Sequence, residues 1–154
     1  MAKIESTVWI ARPLAEVFRF FLDLDKNARM TDPNVESVVK TPEGPTGPGT
    51  TFRFRQKALG KVRETTTTFV SLESNRKIEM EARLGPLRPK GLLTFDQTNG
   101  GTTVVVRLNP NPVGPLKLLS PVFARIGQKV WDGRLARLKT ALESSPRDAA
   151  ADRS

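Results

Sequence analysis

The side chains that could do chemistry in this chain are carboxylates, amides and hydroxyls, because the 154 residues include no His, Cys or Tyr. That absence excludes Ser-His and Cys-His nucleophile pairs, zinc cages of thiolate or imidazole, and disulfides. A magnesium or calcium site built on carboxylates would pass this filter, yet no motif signals one, so neither metal nor cofactor is expected. Among the acids, Glu64 is the catalytic candidate. It stands in the strand-forming run Arg63-Glu64-Thr65-Thr66-Thr67-Thr68. If it points inward beside Gln56, burial raises its pKa and suits it to general acid or base work. If it points outward, it is a surface partner for Arg55 or Arg63. Asp23, Asp25 and Asp32 fall in polar, irregular stretches and read as caps or turn residues. The run Pro42 to Gly49 lacks the Gly-Lys-Ser/Thr that opens a phosphate-binding helix, and it leads into a strand, so it reads as a rigid connection.

The face that Glu64 takes depends on one turn. Thr50 to Ala58 alternates Phe52, Phe54 and Gln56 with Arg53, Arg55 and Lys57, and Leu59-Gly60 returns the chain into a strand over Lys61 to Leu72. A connection of two residues and one of three turn opposite faces inward, since a slip of one residue flips a whole strand. The inward set is therefore either Glu64, Thr66 and Thr68 or Arg63, Thr65 and Thr67. Thr66 and Thr68 are carried forward as candidate ligand contacts, with the register open.

The elements that position these residues follow from periodicity. Lys3 to Ala11 alternates as a strand with Ile4, Ser6, Val8 and Ile10 on one face and Trp9 on the other, where it is a candidate dimer contact. Pro13 suits the first turn of a short helix over 13–23, whose Leu14, Val17, Phe18, Phe21 and Leu22 share a face. One further turn is possible around Ala28 to Met30. Strands follow over Val35 to Thr41, Thr50 to Ala58, Lys61 to Leu72 and Lys77 to Leu84. Another carries Leu93 and Phe95, and after the hairpin signal Asn99-Gly100-Gly101 the last runs from Thr102 to Leu108. Pro115 to Glu143 is the longest apolar-periodic stretch, with Leu116, Leu119, Phe123, Ile126, Val130, Leu135, Leu138 and Leu142 in one broad stripe. Ser120 before Pro121 is a good helix cap there. Gly127 and Gly133 project near that stripe, leaving room either for a ligand or for close helix-to-sheet contact.

Composition bounds the rest. A chain of this length is one domain by prior, burying about 70% of its unfolded surface. The net charge of +9 and a pI near 10.5 invite a nucleic-acid reading. Its basic residues are dispersed, however, and only Arg53, Arg55, Lys57, Lys61 and Arg63 form an acid-free run. Scarce aromatics leave little for bases to stack on, so nucleic acid is disfavoured. No stretch reaches the ~20 apolar residues of a membrane span, and the N-terminus lacks a signal-peptide core. A cytoplasmic protein is expected.

The chain runs β, α, five or six meandering strands and one long helix. Within that order stand Ile10-Ala11-Arg12-Pro13-Leu14-Ala15-Glu16-Val17-Phe18, Gly44 to Phe52, Gly100-Gly101-Thr102 and Leu135-Ala136-Arg137-Leu138-Lys139. In order and motifs the chain resembles the START-like, pollen-allergen-like superfamily (SRPBCC), and within it the polyketide cyclase/dehydrase-like branch. One departure is Met30, where that branch often carries Trp; a flexible thioether softens the wall there.

The resemblance implies an α+β helix-grip fold. A curved antiparallel sheet of six to seven strands wraps a long C-terminal helix, with one or two short helices between strands one and two. It implies one ligand-binding domain over 1–143, and the small, polar, proline-interrupted composition of 144–154 reads as a disordered tail. The superfamily binds hydrophobic ligands, cyclises or dehydrates polyketides, carries quinones or lipids and activates chaperones, so fold alone does not give function.

The leading expectation is a monomer or homodimer that encloses a small hydrophobic or aromatic ligand between sheet and helix. The inward parity supplies Phe52, Phe54, Ile78, Met80, Leu93, Phe95, Val104 and Val106 from strands. Phe123, Ile126 and Val130 come from the helix, with Trp131 beside them. From these the candidate contacts are Phe52, Phe54, Gln56, Thr66, Thr68, Met80, Leu93, Phe95, Val106, Phe123, Gly127 and Trp131. The alternatives are a cyclase or dehydratase that works by holding a reactive chain in shape, and a module whose basic outer strands meet an acidic partner or an anionic membrane.

Overall fold

The computed structural model describes residues 3–31, 34–58, 60–85 and 87–144. Strand β1 (Ile4–Ile10) leads into helices α1 (Leu14–Leu22) and α2 (Leu24–Thr31). Six strands follow: β2 (Val35–Thr41), β3 (Thr51–Ala58), β4 (Lys61–Glu73), β5 (Lys77–Arg83), β6 (Lys90–Thr98) and β7 (Gly101–Asn109). A 3-10 turn over Gly114–Leu119 then runs straight into α3 (Ser120–Ser144). The seven strands form one antiparallel, curved sheet in the order β1-β7-β6-β5-β4-β3-β2, and this is the helix-grip α+β architecture. Among the described residues no helix is long and apolar enough to cross a membrane.

Local chemistry sets the turns. Asn99 and Gly100 both take positive φ (50° and 77°), the backbone that a two-residue hairpin with right-handed twist requires. Between β3 and β4, Ala58 pairs with Lys61, so the connection has two residues. That register sets Thr67 opposite Phe52 and Thr65 opposite Phe54. Thr66 and Thr68 consequently take the other face, contrary to the set carried forward from the sequence. Thr68 there shares a 3.1 Å hydroxyl hydrogen bond with Thr51. Glu64 is also outward, more than half exposed and 3.3 Å from the Arg53 guanidinium. A bulge between Phe69 and Ser71 turns Val70 outward and returns Leu72 to the concave side, where it packs against the core.

One hydrophobic cluster joins α1, the concave sheet face and the second half of α3. Phe18 and Phe21 of α1 meet Phe95 edge-on, at centroid distances of 5.0 and 5.3 Å. Leu135, Leu138 and Leu142 of α3 complete it and are almost fully buried.

The edge strand β1 is covered by polar residues of α3, a device the sequence reading did not contain. The Gln128 side chain donates to the Glu5 carbonyl at 2.7 Å and accepts from the Glu5 N–H at 3.2 Å, acting as one rung of a ladder. Lys139 donates to the Trp9 carbonyl and Glu143 accepts from the Ala11 N–H, both at 2.8 Å. A bare edge is an invitation to pair with another chain, and these contacts occupy the outward groups of Glu5, the Trp9 carbonyl and the Ala11 N–H. In return, the Arg12 guanidinium donates to the Leu142 and Glu143 carbonyls, capping α3 where its dipole is negative.

Several expectations about α3 change. Its first half lies on β1 with one face only, leaving Ile126 and Val130, like Leu119 of the preceding turn, exposed and Phe123 half-buried. A Cβ at Gly127 would overlap the Ile4 side chain, so this glycine serves close packing on β1. A Cβ at Gly133 would meet only Arg137, at 3.4 Å, and so makes room for neither. Ser120 is helical, and its hydroxyl donates back to the Lys117 carbonyl at 2.8 Å without capping. Of the expected tail, Ser144 closes α3, while 145–154 lie outside the described residues, as does the side chain of Met30.

Trp9 is just over one-third exposed. Its indole donates to the Thr98 carbonyl at 2.8 Å, and the ring lies where a Cβ at Gly101 would fall, 2.7 Å from Cζ2. That Cβ would also press on the Ile10 carbonyl, which is backbone and cannot swing aside. Gly101→Ala is therefore expected to lower stability by about 1–3 kcal/mol, read as a drop in denaturant midpoint; an unchanged midpoint would contradict this packing.

Candidate ligand cavity

On β4, β5 and β6 the inward side chains become smaller in one direction along the concave face. Strand β4 turns Phe69, Thr67 and then Thr65 inward, β5 turns Ile78, Met80 and Ala82, and β6 read backwards turns Phe95, Leu93 and Gly91. The register aligns the small ends, with Met80 opposite Gly91 and Ala82 opposite Thr67. The large end is filled by the phenylalanines of α1. At the small end Leu108 takes the place of a side chain at Gly91 and Trp131 stands across from the sheet, and a cavity of about 230 Å³ remains between them.

Its floor is Phe54, Gln56, Thr65, Thr67, Met80, Ala82, Gly91 and Leu108 on the sheet. Leu24, Asn27 and Ala28 of α2 and Val130, Trp131 and Arg134 of α3 form the opposing wall, with Leu84, Pro89 and Glu81 toward the β5–β6 connection. The lining is mostly apolar with a few convergent polar groups, the composition expected of a small-molecule site. Thr65 donates to the Gln56 carbonyl oxygen at 3.4 Å, which orients that amide on the floor. The Arg134 guanidinium stacks on the Trp131 ring at 5.0 Å, putting a positive charge beside an aromatic wall.

Of the candidate contacts, the structure brings Phe54, Gln56, Met80 and Trp131 together around this space. Phe52, Leu93, Phe95 and Val106 are nearly inaccessible and belong to the packed core. Thr66, Thr68, Phe123, Gly127 and Glu64 lie outside the lining. Thr65 and Thr67 belong to the alternative inward set that the open register allowed, whereas sequence reasoning missed the short residues Ala28, Ala82 and Gly91 together with Leu24, Asn27, Glu81, Leu84, Pro89, Leu108 and Arg134. A signal for the short ones was available: small residues recurring at inward parity on adjacent strands mark a place where the sheet does not fill itself.

Among the described residues no cluster of three or more acids could hold a metal ion. The clear pKa shifts lie outside the cavity. Asp132 is held below the usual carboxylate range by hydrogen bonds from Ser6 and then Gln128, and Glu143 by the Lys139 ammonium and the Ala11 N–H. Both carboxylates tie α3 to β1. Since their folded-state pKa values are depressed, the stability they contribute is present above the unfolded carboxylate pKa of about 4. It disappears as pH falls through the folded values. Asp132→Asn combined with Glu143→Gln should therefore flatten the acid limb of the stability curve; a limb of unchanged slope would contradict this linkage.

Comparison with known proteins fits this geometry. Ara h 8.0201 superposes with a TM-score of 0.73 at 18% identity, covering 92% of this chain and 98% of that one. The protein TTHA0849 from Thermus thermophilus gives a TM-score of 0.73 at 21% identity, over 93% of this chain and 99% of that one. The di-domain ARO/CYC protein BexL from the BE-7585A biosynthetic pathway gives 0.71 at 22%, over 94% of this chain and 50% of that one. At these identities the likeness is one of fold. No protein of curated function matches the sequence. The family described as polyketide cyclase / dehydrase and lipid transport, by contrast, matches over residues 1–143, which takes in every strand and nearly all of α3. A bowed sheet, a gripping helix and an unfilled apolar end thus meet in a chain that belongs to the polyketide cyclase/dehydrase and lipid transport family.

Proposed function

We propose that this chain binds a small hydrophobic or aromatic molecule in the cavity between the sheet and α3. The observation that carries the reading is the alignment of the short residues Thr65, Thr67 and Ala82 across from Trp131, beside about 230 Å³ of space lined mainly by carbon. A dry apolar cavity of about 150 Å³ accepts benzene, so this one suits a guest of one to two rings or a short branched chain. The Gln56 amide, Thr67 hydroxyl and Arg134 guanidinium give an oxygen-bearing end of the guest a place to dock. Apolar burial supplies affinity and the polar groups supply orientation. We place this activity in the cytoplasm and in a monomer or homodimer of a single domain over 1–143.

A cyclase or dehydratase acting by shape would use the same space. Glu64 is turned away from it, and Glu81 at its rim is more than half exposed and 3.9 Å from Lys90, so carriage is the simpler reading. Native mass spectrometry of the protein mixed with a naphthalene-class probe tests the proposal. One probe per chain is expected; a spectrum of bare protein at saturating probe would overturn it. A chemically altered product after incubation with a polyketide-like chain would move the reading from carriage to turnover.

A further inference from the structure

The 3-10 turn and the first half of α3 carry an apolar surface that nothing in the fold covers. Leu118 is 87% exposed, Ile126 57% and Val122 52%, with Leu119 and Val130 close behind. Val122, Arg125, Ile126, Lys129 and Val130 stand at i, i+3, i+4, i+7 and i+8, so they share one outward helix face. Core-facing helices bury this pattern, whereas here the buried side of α3 is set by Ala124, Leu135, Leu138 and Leu142. Charge on the segment is of one sign: Lys117, Arg125 and Lys129 are its ionisable residues from Val113 to Trp131. No ion pair of theirs occurs among the described residues. The basic strand run differs, since Arg53 is matched by Glu64 and Lys57 by Glu36.

We infer that this face docks on an anionic lipid surface. Exposed aliphatic side chains between unpaired cations are what an interfacial helix presents to headgroups, with the apolar residues entering and the cations staying at phosphate level. A second copy of the chain is a poorer occupant, because a two-fold contact on this face would bring Lys117, Arg125 and Lys129 toward their own counterparts. The surface also adjoins the cavity. Val130 belongs to both, and Leu84 at the cavity wall is itself exposed. Docking here would set the cavity beside the bilayer, whatever the cavity holds.

The test is co-sedimentation of the full chain, without added ligand, with two kinds of vesicle: pure phosphatidylcholine, and phosphatidylcholine with phosphatidylglycerol in equal parts. Binding to the anionic vesicles alone, weakening as salt is raised, is expected. Lys117→Gln with Arg125→Gln and Lys129→Gln should reduce it roughly hundredfold, at about fivefold per cation. Ile126→Asp should reduce it at least about tenfold. These positions are exposed, so thermal melts should match the parent and separate lost binding from lost fold. Equal binding to both vesicle types, or none to either, would overturn the inference. So would concentration-dependent dimerisation abolished by Ile126→Asp, which would assign the face to a second copy. Since no ligand is present, a cavity that proves to bind nothing would sink the ligand reading and leave this one intact.

Discussion

Ala28→Phe is expected to abolish binding of a two-ring aromatic probe while leaving the melting temperature unchanged or raised. Ala28 sits on α2 at the wall of the cavity, facing the sheet floor of Phe54, Thr67 and Met80. The phenyl ring added there takes up a space comparable to that of a benzene guest, out of about 230 Å³. Forcing ring and probe into one volume should cost about 3 kcal/mol or more, at least roughly a hundredfold in Kd. The apo protein loses nothing by the change, because filling a void restores contacts that its lining atoms lack. Loss of binding with stability kept is the signature. Loss of both would mean that the site is already close-packed, and undiminished binding would place the guest elsewhere.

Leu138→Ala should destabilise the fold by about 2–5 kcal/mol, whereas Ile126→Ala, on the same helix, should change stability by less than about 0.5 kcal/mol. Leu138 is 1% exposed and belongs to the cluster shared with α1 and the sheet. Ile126 belongs to the outward face. Chemical denaturation of the two variants compares the halves of α3 directly. Equal losses would contradict the division of the helix into a part that holds the core and a part that is presented to solvent.

The outline of the fold was legible because its signals are local. Alternation in Ile4 to Ile10, Asn99-Gly100 at a hairpin and the stripe ending in Leu135, Leu138 and Leu142 each act within a few residues, and the strands fall where the periodicity puts them. The register of β3 against β4 was not legible. It hangs on whether Ala58 pairs with Lys61 or slips by one, and either pairing presents threonines to the interior. That single step moved Thr66, Thr68 and Glu64 away from the cavity. The first half of α3 misled for another reason: Ile126 and Val130 carry the spacing of a buried face, and periodicity cannot say whether a matching surface lies opposite. Nothing in the sequence singled out Gln128 and Glu143, because strand-edge coverage depends on which strand the helix lies against.

A ligand site here requires that the space beneath Trp131 be occupied, and the chain's two tryptophans report on it separately. Trp131 lines the cavity, while Trp9 lies on the opposite face of β1 with its indole N–H bound to Thr98. A proton–nitrogen spectrum recorded during titration with a naphthalene-class probe resolves both indole signals in one sample. The Trp131 resonance should move saturably while that of Trp9 stays fixed. Two static resonances at saturating probe, or movement of Trp9 in place of Trp131, would contradict a ligand site in this cavity.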